Sequence, residues 1–464
     1  MRILLIVHQY VPERLGGAER HAHQLARVLI ENNDVLVYTR SVAHRGEGAE
    51  LIAVDGVRVH RWIDHRIKAQ PALAADLIRV AERFSPDVVH VHHGIGLPPK
   101  ALLDVMRRHP SVLTLHDYWW ICPRIRLLYK GESPCAGPVP LKRCAECYDH
   151  RLAPDLLGEA AALAEFGPLS PAVRALRRQI DAEVSVGASD DDAGGSSKPG
   201  GKSRVATPLF FARRRSMHRR LLKAARVVVS PSAYLPKRYH DAGYPIAPER
   251  LQIVDYGVDS AQVPKSLSNS LSNSLSNSSP QGPLRYPIRF GLVGHLDRSK
   301  GVDLALAAFE RIDPARAKLH LYGDLSTSNL PEGLVDSATG RYEAHGPFKP
   351  DELPRILREI DVLIVPSLWV ENAPKVIHEA QAAKVPVIAA DHGALPEFVD
   401  EDKGGWLFTG MDAFSLHSCM QALIDRPERI EAARRSIREP FRVEAVAERL
   451  LNIYRQIADD RAAR

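Results

Sequence analysis

The sequence predicts an α/β protein with two doubly wound parallel sheets. Short apolar runs rich in β-branched residues alternate along the chain with segments of helical periodicity, a pattern typical of repeated βαβ units. The chain has 464 residues, which is too many for one hydrophobic core and favours two domains of ordinary size. Right-handed crossovers bring the carboxyl ends of parallel strands to one edge of a sheet, so ligand sites are expected there.

Two series of strands follow from this pattern. The first series lies in the amino-terminal half, and its strands are predicted over 2–7, 35–39, 57–62, 88–92, 111–116 and 226–230. The second series lies nearer the carboxyl end, and its strands are predicted over 288–294, 318–322, 361–366 and 385–390. Helices are predicted between the strands, among others over 18–30, 102–108, 302–311 and 350–359.

Two polar segments set the domain boundaries. Residues 189–207 are rich in Asp, Gly and Ser, so a disordered insertion is expected over 188–208. Residues 266–279 repeat Ser-Leu-Ser-Asn with a period of four, which matches neither a strand nor a helix face, and a flexible linker is expected over 246–285. The predicted domains are therefore 1–245 and 286–440, followed by helices over 441–464.

The composition is that of a soluble globular protein, with 45% apolar and 25% charged residues. No apolar run approaches the ~18 residues that cross a bilayer. The apolar run near the amino terminus is too short for a signal peptide, so a cytoplasmic location is expected. The net charge of +6 permits contact with phosphates or with an anionic membrane surface, and it does not indicate nucleic acid.

A strongly basic stretch with a helical pattern runs from Arg213 to Arg226. One interpretation is electrostatic docking on anionic lipid at the inner face of the membrane. The other interpretation is an ordinary solvated helix face.

Four of the five cysteines lie close together in the sequence, at Cys122, Cys135, Cys144 and Cys147. In a cytosolic chain this grouping permits a structural zinc site with four thiolate ligands. The spacing is irregular, and free or redox-linked thiols are the alternative interpretation. Cys419 stands alone in a helical pattern and is expected in the core.

Two carboxylates, Glu371 and Glu379, flank a predicted strand-to-helix junction. Pro374 suits the first turn of the helix, where a missing N–H costs nothing. Glu371 is therefore expected in the loop at the strand's carboxyl end, and Glu379 two turns into the helix, facing the same crevice. Free N–H groups at the helix start would seat an anion between them. The alternative is that glutamates at this spacing arise by chance on a surface helix.

The first predicted domain offers two further loops. Gly16 and Gly17 open a helix after the first strand, where glycines let the backbone approach a ligand closely. His116 and Asp117 follow a later strand, where a neutral imidazole can hydrogen-bond a sugar hydroxyl and the aspartate can hold a hydroxyl or orient the histidine. A His-Asp pair is more often structural. Nearby His90 and His92 should share one face of their strand and His93 the other, so no three-ligand metal set is evident.

The second predicted domain opens with a glycine-containing loop. It runs Gly291-Leu-Val-Gly294-His295-Leu-Asp-Arg298-Ser-Lys300-Gly301, and its cations could neutralise phosphate groups.

These motifs together closely resemble the family-four glycosyltransferases of the GT-B fold. The strongest part is Glu371-Asn372-Ala373-Pro374 followed by Glu379-Ala-Gln-Ala-Ala-Lys-Val-Pro-Val, with Gly393-Ala-Leu-Pro-Glu397 beyond it. The amino-terminal glycine loop, the His116–Asp117 loop with its nearby cysteines and the loop ending in Lys300 occur in the family's order over most of the chain. The family usually has arginine where this chain has His295, and Arg298 is the nearest substitute.

The resemblance implies two Rossmann-like domains with the active site between them, and final helices that pack back toward the first domain. It implies a metal-independent transfer from a nucleotide sugar that keeps the anomeric configuration. Lys300 would stabilise the leaving diphosphate together with helix-start amides, Glu371 would hold sugar hydroxyls, Glu379 the ribose, and His116 the sugar from the first domain. Donor contacts would also come from Gly16, Gly17, Asp117, Gly294, His295, Arg298, Asn372, Ala373 and Pro374.

The expected function is therefore a retaining hexosyltransferase that acts on a glycan or lipid-linked acceptor in surface polysaccharide or glycoconjugate synthesis. It would need no cofactor beyond the donor. Two alternatives stay open: a GT-B epimerase of nucleotide sugars, and a non-catalytic GT-B protein that binds a nucleotide sugar.

Overall fold

Two sheets organise the chain. A computed structural model describes residues 1–44, 46–64, 70–130, 133–135, 140–148, 208–259, 284, 286–325, 340–401 and 404–462. The first unit comprises Met1–Pro231, Leu235–Val254 and Ala447–Arg464, and the second comprises Ser232–Tyr234 and Asp255–Val446. Each unit contains one large sheet, as the alternating pattern predicts.

The first unit is built on an eight-stranded sheet with the order β10-β9-β6-β5-β1-β2-β4-β3. The neighbours of β1 are β2 and β5, so the order reverses at the carboxyl ends of β1 and β5. Its strands are β1 (Arg2–Ile6), β2 (Asp34–Ser41), β3 (Glu47–Val54), β4 (Val57–Asp64), β5 (Val88–Val91), β6 (Ser111–Thr114), β9 (Val227–Ser230) and β10 (Leu251–Ile253). A small antiparallel pair, β7 (Leu128–Tyr129) and β8 (Ser133–Pro134), stands apart from this sheet.

One edge of this sheet is not parallel, which corrects the prediction. Strand β3 runs antiparallel to β4, joined by a turn in which Asp55 and Gly56 both have positive φ values. An Asp-Gly pair between two strands favours such a two-residue hairpin turn. Because no long crossover is needed there, the alternation of strands and helices is interrupted at this edge.

The helices of the first unit cover its sheet. They are α1 (Gly17–Leu29), α2 (Gln70–Phe84), α3 (Pro99–Arg108), α4 (Leu141–Cys147), α5 (Pro208–Ala224) and α6 (Tyr234–Asp241), the last of which begins with a residue of the second unit. Apolar residues of α1 and α3 recur at helical spacing and are buried, as a face that packs against a sheet requires.

The second unit is built on a six-stranded sheet with the order β13-β12-β11-β14-β15-β16, and all its pairs are parallel. The order reverses at β11 and β14, so their carboxyl ends form the crevice in which open α/β sheets bind ligands. The strands are β11 (Ile288–Val293), β12 (Ala317–Tyr322), β13 (Tyr342–Gly346), β14 (Val362–Val365), β15 (Val387–Ala390) and β16 (Gly405–Phe408).

Helices also flank the second sheet. They are α7 (Val302–Phe309), α8 (Leu353–Glu359), α9 (Lys375–Ala382), α10 (Leu395–Phe398), α11 (Ala413–Asp425), α12 (Glu428–Ser436) and α13 (Val443–Ala462), and the greater part of α13 belongs to the first unit. In that part of α13, the hydroxyl of Tyr454 lies 2.5 Å from Nδ1 of His90. No helix in the described part of the chain combines the length and apolarity that a membrane span requires.

The predicted linker begins too early. Leu251–Ile253, inside the range 246–285, forms strand β10 and pairs with β9. A strand of three residues is too short to stand out as a periodic pattern, so the polar surroundings dominated the prediction. The Ser-Leu-Ser-Asn repeats over 266–279 lie outside the described residues, as do residues 188–207 of the insertion predicted over 188–208. Its last residue, Pro208, begins helix α5.

Candidate functional site

The crevice of the second unit gathers the carboxylate Glu371 and its three hydrogen-bond donors. Lys300 donates from Nζ at 2.6 Å, Ser367 from Oγ at 2.7 Å and Trp369 from Nε1 at 2.7 Å, all to Oε1 of Glu371. The glutamate is 3% exposed, so its charge is compensated almost entirely by these groups. Lys300 keeps a third of its side chain exposed and lies 5.2 Å from the centre of the Trp369 ring. The cluster thus fixes one carboxylate oxygen and leaves a cation accessible to solvent.

Two backbone contacts lock the loop after β11 to the loop after β14. The carbonyl oxygen of Ser299 accepts hydrogen bonds from the N–H groups of Leu368 and Trp369 at 2.8 and 3.2 Å. Gly301 has φ +74°, and a Cβ at that position would overlap the carbonyl oxygen of Pro366. Only glycine therefore lets the two loops approach closely enough for Lys300 to reach Glu371.

A third loop, which follows β15, closes on the backbone of Glu371. Ala394 donates its N–H to the Glu371 carbonyl at 3.0 Å. Gly393 has φ +65°, and an added Cβ there would lie 2.7 Å from the same oxygen. His392 places Nε2 2.6 Å from the carbonyl oxygen of Ser367. In the same segment, Glu397 accepts hydrogen bonds from two backbone N–H groups, one at each oxygen of its carboxylate.

The residues after Glu371 form the start of helix α9. Asn372 and Ala373 are buried, and Asn372 accepts a hydrogen bond of 2.6 Å from the Ser232 hydroxyl. Pro374 is the extended residue that precedes the helix, which begins at Lys375. Glu379 is 5% exposed and lies just over one turn into the helix, so the expectation of two turns was wrong.

The loop after β11 presents its remaining candidate residues to solvent. Gly294 has φ +129°, and a Cβ there would meet nothing within 4 Å, so space stays open beside its backbone. His295 is exposed. Arg298 is 74% exposed and lies 3.7 Å from Asp303. No contact in the described residues ties His295 or Arg298 to Glu371.

In the first unit, the loop with Gly16 and Gly17 lies beside the buried side chain of Glu19. Gly16 precedes helix α1 with an extended backbone, and a Cβ there would lie 2.5 Å from Oε2 of Glu19. Gly17 has open space around it. Glu19 lies 3.2 Å from Nε2 of His8, and burial raises the pKa of its carboxyl. A Cβ at Gly16 would thus displace the buried Glu19 carboxylate, a contact that the sequence pattern does not reveal.

The histidines at the carboxyl end of this sheet pair differently from the prediction. His116 places Nε2 3.1 Å from Nδ1 of His92, whereas Asp117 lies 3.2 Å from Nε2 of His93. The ion-pair partner of Asp117 is thus His93, and both His116 and Asp117 lie beyond the end of β6 at Thr114. His90 and His92 do share a face, with ring centres 4.1 Å apart.

Four of these histidines are held neutral by burial. Desolvation lowers the pKa of His92 to about 3 and places the pKa values of His8, His90 and His116 well below the usual value. The unfolded chain takes up protons below pH ~6.5 that the folded chain cannot, so stability is complete above that pH and falls as the pH drops. As the pH drops from about 7.5 to about 5.5, each of these histidines should lower the free energy of unfolding by roughly 1.4 kcal/mol.

We therefore expect the unfolding free energy, measured with urea at these pH values, to fall less steeply in His116→Gln than in the parent protein. Glu19 acts in the opposite direction, so the difference between the two slopes isolates the histidine. His240→Ala, at an exposed position, is the matched control. Equal slopes in His116→Gln and the parent would contradict the buried neutral state.

The cysteines surround one cavity. Cys122, Cys135, Cys144 and Cys147 line it together with Tyr129 and Tyr148, among others. Burial raises the pKa of the Cys122 thiol to about 12. Among the described residues, no three of these sulfur atoms lie within 4.8 Å of one another. The zinc site at the cysteines therefore stays a prediction.

The basic helix α5 has a mixed surface. Arg214 is 2% exposed, donates to the carbonyl oxygen of Trp119 at 2.5 Å and stacks over its ring, so this member of the basic stretch is a core residue. Arg219, Arg220 and Lys223 are exposed. They form the surface called here the basic face.

Sequence reasoning missed Ser367, Trp369 and His392 as members of the site. The signal was available for the first two, since both flank Glu371 in a loop at a strand's carboxyl end. Nothing in the sequence indicated that all donors would converge on one oxygen of Glu371.

Comparison with known proteins identifies the family of the chain. Residues 15–138 match the profile described as Glycosyltransferase Family 4, and residues 287–426 match the profile Glycosyl transferases group 1. The chain is 27% identical over 186 residues to the amylovoran biosynthesis glycosyltransferase AmsK of Erwinia amylovora, covering 37% of this chain and 46% of AmsK. It is 34% identical over 179 residues to a D-inositol 3-phosphate glycosyltransferase of Rhodococcus opacus, covering 35% of this chain and 40% of that protein. The matches thus span less than half of each of these relatives.

Solved structures share the fold over nearly the whole length. HepE of Anabaena in complex with UDP has a TM-score of 0.56 at 16% identity, with all of both chains covered. Sucrose-phosphate synthase of Thermosynechococcus elongatus has a TM-score of 0.62 at 17% identity, with 98% of both chains covered. Two parallel α/β units of this kind define a GT-B protein. The two profiles together span more than half of the chain, which belongs to the family-four glycosyltransferases.

Proposed function

We propose that the protein is a retaining glycosyltransferase that moves a hexose from a nucleotide sugar to a glycan or lipid-linked acceptor. The observation that carries the proposal is the cluster of Lys300, Ser367 and Trp369 around Glu371 at the point where the strand order of the second unit reverses. A fixed carboxylate suits the recognition of sugar hydroxyls, and an accessible cation beside it suits a diphosphate. Several relatives are named for polysaccharide biosynthesis, which supports a role of that kind.

The proposed roles follow from the chemistry of each group. Lys300 stabilises the negative charge that develops on the leaving diphosphate, aided by the N–H groups at the start of α9. Glu371 holds hydroxyls of the transferred sugar, and Glu379 holds the ribose. This arrangement provides positive charge without a metal ion, so we propose that transfer is metal-independent.

The remaining roles are assigned by resemblance to the family. We propose that His116 contacts the transferred sugar, and that Gly16, Gly17 and Asp117 lie near the donor. Gly294, His295, Arg298, Asn372, Ala373 and Pro374 are proposed to surround the donor phosphates and sugar. We also propose a cytoplasmic location, where nucleotide sugars are available as donors.

The proposal is tested by incubating the purified protein with a panel of sugar nucleotides and measuring release of nucleoside diphosphate. Release from one donor, with water accepting the sugar in place of the missing acceptor, is the expected result. NMR at early times, before mutarotation, should show the freed sugar with the anomeric configuration of the donor. An altered sugar still attached to its nucleotide would instead indicate the epimerase. Calorimetry with the same panel separates the third possibility, because a donor that binds without being consumed indicates a non-catalytic protein.

We also propose that the basic face of α5 docks on anionic lipid. Each basic residue near such a surface contributes about 1 kcal/mol. Replacing Arg219, Arg220 and Lys223 together by alanine should therefore weaken binding to phosphatidylserine-containing vesicles by roughly a hundredfold, as measured by vesicle sedimentation at low salt.

The control for this experiment removes the same charge elsewhere, by replacing the exposed Arg435, Arg438 and Arg449 with alanine. That variant should bind the vesicles like the parent protein. Equal weakening in both triple variants would show that net charge, rather than the basic face, drives the interaction.

A further inference from the structure

Three side chains of types that commonly bind metals meet at one edge of the second sheet. None of them belongs to the candidate donor residues. His320 lies on β12, and Glu343 and His345 lie on the edge strand β13. Within the described residues, this is the one group of three or more His, Cys, Asp or Glu side chains whose ligand atoms all lie within 4.8 Å of one another. The proposed transferase activity uses none of the three.

The distances within this group match those between ligands of a single ion. Nδ1 of His320 lies 3.0 Å from Nε2 of His345 and 3.5 Å from Oε2 of Glu343. Two ligands that bind a tetrahedral ion at about 2.0–2.1 Å are about 3.4 Å apart. The three atoms could therefore surround one small cation with only minor movement of the side chains.

The fold brings the three side chains together by strand register and by a local irregularity. His320 and Glu343 are direct partners across the parallel pair β12–β13. The register then shifts, so that Ala344 is paired with Leu321 and Gly346 with Tyr322, leaving His345 as the extra residue. Such a bulge turns a side chain to a new direction, and the His345 ring stacks on Tyr322 with centres 4.1 Å apart.

Lys318 fixes the carboxylate of this group. Its Nζ donates to Oε1 of Glu343 at 2.6 Å, which leaves Oε2 directed toward His320. A hydrogen bond to the second oxygen of a carboxylate ligand is the kind of outer contact that orients metal ligands in proteins.

We propose that His320, Glu343 and His345 form a binding site for a divalent transition-metal ion of the zinc type. Two imidazoles and one carboxylate suit Zn²⁺, Ni²⁺ or Cu²⁺ and disfavour Mg²⁺ or Ca²⁺, which prefer oxygen ligands alone. Three protein ligands leave a fourth position for water, and the exposure of His345 gives an ion a path from solvent. A bound ion would join the edge strand β13 to β12 and so raise the stability of the second unit.

The test uses full-length protein without a polyhistidine tag, stripped of metal with a chelator, in a Cys144→Ser/Cys147→Ser background that weakens any thiolate site. Calorimetric titration with Zn²⁺ should show one equivalent of binding and a rise in Tm. His345→Ala and Glu343→Gln should each weaken that binding by at least tenfold. His240→Ala, which removes an exposed histidine of the first unit, should bind like the background protein.

Cobalt supplies an independent readout of the ligand type. The Co²⁺ form of the background protein should show visible ligand-field bands and no thiolate charge-transfer band, since the proposed ligands contain no sulfur. Absence of Zn²⁺ binding in the background protein, or unchanged affinity in both His345→Ala and Glu343→Gln, would overturn the proposal. Neither result would bear on the sugar-transfer assay, which uses different residues.

Discussion

Replacing Glu371 with glutamine should lower the rate of donor turnover by roughly a hundredfold or more, the scale seen when one preorganised polar group is removed from a catalytic site. Glutamine has nearly the same shape and can still accept hydrogen bonds from Ser367 and Trp369. It cannot, however, carry the negative charge that orders the sugar hydroxyls and holds Lys300 at 2.6 Å. The loss should appear in kcat.

Nucleotide binding should respond differently in the same variant. Lys300 is paired with Glu371 in the structure, so glutamine leaves more of the lysine charge for the diphosphate. The Kd for nucleoside diphosphate, measured by calorimetry, should therefore stay equal or fall. Glu401→Gln removes the charge of an exposed glutamate of the same unit and should change neither quantity. Full turnover in Glu371→Gln would remove this residue from the proposed mechanism.

Replacing Gly301 with alanine should have the largest effect on stability. The backbone there has φ +74°, which costs a residue with a Cβ about 1–2 kcal/mol. The new Cβ would also overlap the carbonyl oxygen of Pro366, a backbone atom that can move only if the end of β14 moves. Together these should lower the free energy of unfolding of the second unit by about 3 kcal/mol or more, measured by calorimetric melting.

Gly340→Ala separates backbone strain from steric overlap. Gly340 has φ +66°, close to that of Gly301, and an added Cβ there would meet nothing within 4 Å. Its substitution should cost only the strain of about 1–2 kcal/mol. If both variants lose the same stability, close approach of the two loops at Gly301 is not what the site requires.

The fold could be predicted from the sequence because parallel βαβ units leave a strong signal. Each buried strand is a continuous apolar run, and each crossover adds a helix, so both sheets were confirmed together with the GT-B class and the family. The edges were harder. Strand β3 alternates between half-exposed and exposed residues, and β10 has three residues, so neither has the apolar run that marks a central strand.

The candidate site could be predicted only in part, for a related reason. Motif spacing places Glu371 and Lys300 at the carboxyl edge of one sheet, but side-chain pairing depends on distances that sequence does not contain. The ion pair of Lys300 with Glu371 and the pairing of His116 with His92 arise from loops that are distant in the chain. The group of His320, Glu343 and His345 depends likewise on strand register. Assignment of the donor contacts stays a prediction.

The most direct measurement of the central claim is a crystal structure of the protein with UDP or with the sugar nucleotide that the donor panel selects. We expect the diphosphate within hydrogen-bonding distance of Lys300 and of the N–H groups at the start of α9, with the sugar hydroxyls against Glu371. A nucleotide bound elsewhere, with Lys300 still paired to Glu371, would contradict the donor site described here.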